Sequence, residues 1–223
     1  MSIRSVWWRG IFAALTVGLC LAGAVLYRQN ERAEPSGAPP PNVLLISIDT
    51  LRPDHLGCYG YHRDTSPRID RLAAESVLFE NHISSTSWTL PAHAALFTSL
   101  PDSVHGCTDT DKTLPRKLIT LAERFAAADY QTAGFFSGPY LHPAFGLDQG
   151  FDHYENCTSY AKALDAQPVD QWSMDHQIMR ASHRDMTNPT VYGAVKKWLD
   201  EREPGKFFMF VHMWDAHFDF IPP

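Results

Sequence analysis

Thr89 stands two residues before Pro91 and four before His93 in "SWTLPAHAALFTSL", Ser87–Leu100, where an apolar helix is predicted to begin at the proline. Two readings follow from that position. A threonine just ahead of a helix commonly caps it, its side-chain oxygen accepting a free backbone N–H. The same place suits a nucleophile, because a helix N-terminus offers free N–H groups and a partial positive charge to a bound oxyanion. A hydroxyl attacks poorly until a metal ion lowers its pKa. Asp49, ending the apolar run "NVLLISID", is a hard oxygen ligand suited to such an ion. A second apolar run, "KFFMFVHMWDAH", ends in Asp215 and His217. His217 is a titratable side chain at that strand end. Asp215, on the same face if the strand continues, is a candidate second metal ligand or a buried or capping carboxylate. Thr89 and His217 are thus the candidate catalytic residues, with Asp49, Thr89 and Asp215 the candidate metal ligands.

These residues need elements that bring them together. Asn42–Asp49 reads as a buried parallel strand, Val77–Ser84 as a second, Gln131–Ser137 as a third and Lys206–His217 as a fourth. Helical patterns fall at Ser66–Ser76 (Ser66 as N-cap), Pro91–Leu100, Leu118–Tyr130 and Asn188–Arg202, and residues 145–182 give no clear elements. The alternation predicts an α/β fold, a mostly parallel sheet with helices on both faces. Ligands in such sheets collect at the carboxyl ends of the strands. Asp49, Asp215 and His217 all fall there.

The stretch from Asn42 through "HRDTSPRIDRLAAESVLFENHISSTSWTLPAHAALFTSLPDSVHG", then "TLAERFAAADYQTAGFFS", "GFDHYEN" and "KFFMFVHMWDAHFDFIPP", resembles sulfatase-like enzymes of the alkaline phosphatase superfamily. The resemblance implies that family's fold and hydrolysis of sulfate or phosphate esters with a divalent metal, calcium or zinc. It makes Asp49 the first acid of a metal-binding pair, puts Thr50 in place of the second, and matches His217 to the histidine held near the transferred group or leaving oxygen, for anion contact or protonation of the leaving group. The sulfatase signature carries a Cys or Ser that is oxidised to formylglycine; here its place is held by Thr89, with Pro91 following and His93 in place of an arginine. Oxidising a threonine would give a ketone, not an aldehyde. "TLPAH" is closer to the Thr-x-Pro-x-His of nucleotide pyrophosphatase/phosphodiesterase relatives, in which an unmodified threonine attacks phosphorus. Arg52 and His105 also lie in family-like motifs, although Arg52 could simply pair with nearby acids and His105 close a turn before Gly106.

The composition is that of a globular protein: 44% hydrophobic, 20% charged, net charge −6, with no basic run to suggest nucleic acid. Gly10–Tyr27 is an uncharged run of 18 residues flanked by aromatics, which predicts an N-terminal membrane anchor (residues 1–27) over a cleaved signal. That would hold the protein at a membrane, facing the periplasm or the extracellular side. Residues 28–41 form a Pro-rich linker, and 42–223 are expected to be the N-terminal portion of the catalytic domain. Cys58, Cys107 and Cys157 allow at most one internal disulfide. The resemblance also implies a later metal-binding "DHG"-type motif, which does not occur after His217. The sequence therefore suits a hydrolase that is catalytically incomplete as it stands, or a non-catalytic, truncated, membrane-tethered anion-binding module. Oligomeric state is not legible.

Overall fold

A computed structural model of the chain describes residues 39–158 and 186–217. Four strands carry the described core. They are β1 (Val43–Ile48), β2 (Gln131–Phe136), β3 (His153–Asn156) and β4 (Phe207–Met213). They form one sheet in the order β1-β4-β2-β3 with every pairing parallel. Five α-helices accompany them among the described residues, besides short 3-10 turns: α1 (Pro67–Ala74), α2 (Thr89–Thr98), α3 (Asp102–His105), α4 (Leu121–Ala126) and α5 (Asn188–Glu201). This is the expected α/β arrangement.

Strand alternation divides the core in two. Phe208 and Phe210 of β4 join Phe136 of β2, and Leu90, Ala94 and Phe97 of α2, on one face, with Val43 and Leu45 of β1 packed against them. Met209 and Val211 of β4, with Ala133 and Phe135 of β2, face the other way onto Val191 of α5. The apolar runs of β2 and β4 are thus covered on both sides, as parallel strands require.

Several local expectations are corrected. Val77–Ser84 is not a strand, and Val77, Phe79 and Ile83 are exposed. A strand needs a neighbouring ladder for its N–H and C=O groups, and the described residues give this segment none. Part of the stretch left unassigned contains β3. Ser66 holds the N-cap position before Pro67 as expected, but its hydroxyl is directed to the Asp70 carboxylate and makes no capping bond. Helix α4 is shorter than its pattern and is held instead by a capping box of Thr120 and Glu123. β4 stops at Met213, so Asp215 and His217 lie in a turn closed by the His217 N–H to Trp214 O bond, and the alternation that would put them on one face does not apply.

Among the described residues no helix is long and apolar enough to cross a membrane. The Gly10–Tyr27 run lies outside the described residues. Cys58, Cys107 and Cys157 are all free thiols.

Candidate active site

Asp49 follows the last residue of β1, and its N–H continues the ladder to Met213 O at 3.0 Å. The strand therefore delivers the carboxylate to the carboxyl edge of the sheet, on the face shared by Val43, Leu45 and Ser47. Helix α2 packs on that same face. It begins at Thr89, two residues earlier than its proline predicts, so Thr89 is the first helical residue and Trp88 holds the cap position without a side-chain bond. Thr89 does not cap. Its hydroxyl donates to Asp49 Oδ2 at 2.9 Å, across 40 residues of sequence.

The rotation of α2 is fixed by His93, one helical turn on. Its Nδ1–H donates to Thr89 O at 2.8 Å, which leaves Nε2 to accept the Ser47 hydroxyl at 2.9 Å. Both ring nitrogens are used inside the protein, so His93 holds Thr89 against β1. Burial, and next the neighbouring His212, push its pKa down to about 4, against the raising effect of the Thr89 carbonyl and Asp49.

His212 is the residue that sequence reasoning passed over. It pairs in register with Ser47 on the neighbouring strand and is fully buried. Its Nδ1–H donates to Ser137 O at 2.9 Å, and its Nε2 sits 3.4 Å from Asp49 Oδ2. That contact pairs the ring with the carboxylate without good hydrogen-bond geometry, and among the described residues it is the one polar contact of Nε2. The signal was available: Phe208, Phe210 and His212 occupy alternate positions, so a histidine ends the row that faces α2.

Burial alone would raise the Asp49 pKa. His212, the Thr89 hydroxyl and the charge of His217 outweigh it and hold the carboxyl below its ordinary value. The side chain is only 9% exposed, so an ionised carboxylate here draws strongly on nearby positive charge. His217 stacks flat on Trp214, with ring centroids 4.0 Å apart. Trp214 in turn fits over Gly138, where a Cβ would come within 2.4 Å of the indole. The end of β2 thus supports both histidines, one by the Ser137 carbonyl and the other through Trp214.

Asp215 goes elsewhere. Its Oδ1 accepts from Thr187 N and Thr187 Oγ1 at 2.7 and 2.8 Å, and Oδ2 from Asn188 N at 3.0 Å. It caps the N-terminus of α5, the capping alternative among its sequence readings. Thr50, at the place of the second acid, has φ 53° and gives its hydroxyl to Ala216 O at 2.8 Å. A β-branched residue in that region carries strain of about 1–3 kcal/mol, here used to tie the end of β1 to the segment after β4. Arg52 is exposed and paired with Asp54 at 2.6 Å. His105 is buried, contacting Asp102 through Nε2 and accepting the Cys107 N–H at Nδ1, which closes the turn at Gly106.

The donor set suits a divalent cation in kind. Asp49 and Thr89 offer hard oxygens, and Nε2 of His212 offers a buried nitrogen beside them. It is a partial set: among the described residues no group of three or more His, Cys, Asp and Glu side chains could hold an ion.

Comparison with known proteins matches residues 41–223 to the Sulfatase family. The chain is 24% identical over 183 residues to an N-acetylglucosamine-6-O-sulfatase of Bacteroides thetaiotaomicron, covering 82% of this chain and 32% of that protein. The fold is similar to that of the phosphonate monoester hydrolase of Agrobacterium radiobacter, with TM-score 0.60 and 24% identity over 80% of this chain and 41% of that one. It is also similar to the C-terminal periplasmic domain of EcEptC from Escherichia coli in complex with Zn, with TM-score 0.53 and 18% identity over 82% and 46%. The chain spans about a third or less of the curated relatives it matches.

Proposed function

We propose a function from one premise: this chain belongs to the sulfatase family. It forms the nucleophile side of a metal-dependent hydrolase of sulfate or phosphate (di)esters, and Thr89 is the attacking residue. The observation that carries this reading is the 2.9 Å bond from the Thr89 hydroxyl to Asp49 Oδ2 at the N-terminus of α2.

The carboxylate fixes the rotamer of the hydroxyl and accepts its proton's hydrogen bond, leaving oxygen lone pairs for attack. The first turn of α2 lends its free N–H groups and positive end to the oxyanion. Asp49 and Thr89 would hold a divalent ion, which when bound supplies the charge that lowers the hydroxyl's pKa. Thr89 passes its proton to Asp49 as Oγ1 bonds to sulfur or phosphorus and the bond to the ester oxygen breaks. His217, presented by Trp214, protonates that oxygen. Water afterwards cleaves the Thr89 ester, giving a proton to His217 as it attacks, and the released Oγ1 recovers its proton from Asp49. Formylglycine chemistry is set aside because threonine cannot yield an aldehyde.

The test is made on the natural gene product with added zinc or calcium, using 4-nitrophenyl sulfate, bis(4-nitrophenyl) phosphate and a phenyl phosphonate. Mass spectrometry of acid-quenched protein should find the transferred group on the peptide containing Thr89. Turnover that survives in Thr89→Ala, or an adduct on another residue, would overturn the assignment.

A further inference from the structure

We propose that His212 supplies a nitrogen donor to the metal ion of this site, making it a zinc-type rather than a calcium-type centre. This rests on the reading of the site given above but concerns a residue that reading does not use.

Three observations converge on it. The Ser137 carbonyl at 2.9 Å takes the Nδ1 proton of His212, so in the neutral ring Nε2 carries the lone pair. Fixing one ring nitrogen on a carbonyl is how proteins orient a ligating histidine. The second observation is that Nε2 is buried with the Asp49 carboxylate as its one polar contact among the described residues and without hydrogen-bond geometry to it, a poorly satisfied state for a buried polar atom. Third, that nitrogen lies 3.4 Å from Asp49 Oδ2, a loose pairing of ring and carboxylate. A metal cation between the two would displace the proton that otherwise links them and bond to both. Donors each about 2.0–2.1 Å from one zinc ion in tetrahedral geometry lie about 3.4 Å apart. Thr89 Oγ1, on the same Asp49 oxygen, provides a third atom. Calcium prefers six to eight oxygens, whereas imidazole nitrogen suits zinc.

The experiment uses the full natural polypeptide and reads metal binding directly. Zinc affinity is measured by competition with a chromogenic chelator for wild type, His212→Gln and His212→Ala, with circular dichroism to confirm folding. The first shell of the zinc-loaded wild type is read by X-ray absorption. The expected result is imidazole scattering in the wild type, weakened in both variants, with zinc affinity down by about a hundredfold or more and calcium affinity changed much less. Ligand-supporting groups alone alter metal affinity about 10–100-fold, so a direct donor should do at least as much. Equal zinc affinity in a folded variant would overturn the proposal. A wild-type spectrum without imidazole would do so even if neither variant folds. The nucleophile assignment fails separately: turnover retained in Thr89→Ala with zinc binding lost in His212→Gln would sink Thr89 and leave His212 standing.

Discussion

On β4, Met209 and Val211 lie beneath α5 and are 2% and 7% exposed. Their register partners on β1, Leu44 and Ile46, are 55% and 52% exposed. The two strands have similar apolar sequences and are hydrogen-bonded to one another, yet one is covered on both faces and the other on only one. β1 has no strand partner on its far edge among the described residues. The composition of β1 is that of a doubly covered strand, and the described residues cover only the side toward α2. The candidate site straddles this difference. Asp49 is held from the packed side by Thr89 and His212, while Thr50, the next residue, is exposed. The Thr89 half of the candidate site is therefore built by the interior, and the other half opens along the β1 flank.

Substitutions can sharpen or break that contrast. The largest effect is expected on chemistry: if Thr89 is the nucleophile as proposed, Thr89→Ala should lower turnover by about three orders of magnitude or more, since losing a nucleophile removes most of the catalysed rate. Its thermal midpoint should stay close to that of wild type, because one hydrogen bond is worth about 1 kcal/mol. A large fall in stability with it would mean that the hydroxyl serves packing. In the interior, Phe210→Ala should cost about 3–5 kcal/mol in urea denaturation, because the ring is fully buried between Phe97, Phe151 and His93.

Acid should act on the same packed side. His93 is held near pKa 4 in the fold against about 6.5 in an unfolded chain. The unfolded state therefore takes up the proton first as pH falls. Stability is full above about pH 6.5 and declines by up to a few kcal/mol toward pH 4. His93→Gln should flatten that decline; an unchanged slope would show that His93 does not control it.

Smaller effects are expected at the frame and the flank. Asp215→Ala should cost about 1–2 kcal/mol by uncapping α5 while leaving zinc affinity unchanged; weakened zinc binding would return Asp215 to the ligand set. Leu44→Ser should cost less than about 1 kcal/mol. If it cost as much as Phe210→Ala, the β1 flank would have to be covered in solution, and the contrast drawn here would fail.

The sequence by itself determined the parallel α/β sheet, the arrival of Asp49 at a strand end and the start of a helix near Thr89. Those features are local: an apolar run, a proline and a terminal acid are read within a few residues. It did not determine that Val77–Ser84 would lack a ladder, because pairing depends on a partner outside the segment. It left open whether Thr89 caps or faces Asp49, since that turns on the rotation of α2, which the Ser47–His93–Thr89 bonds fix. Nor did it separate Asp215 from His217, two residues apart and sent in different directions once β4 ends at Met213. His212 shows the boundary most clearly. Its place in the row facing α2 was written in the alternation, but its meaning came only when β1 laid Asp49 beside it, because the value of a buried polar atom is set by what the fold brings within reach.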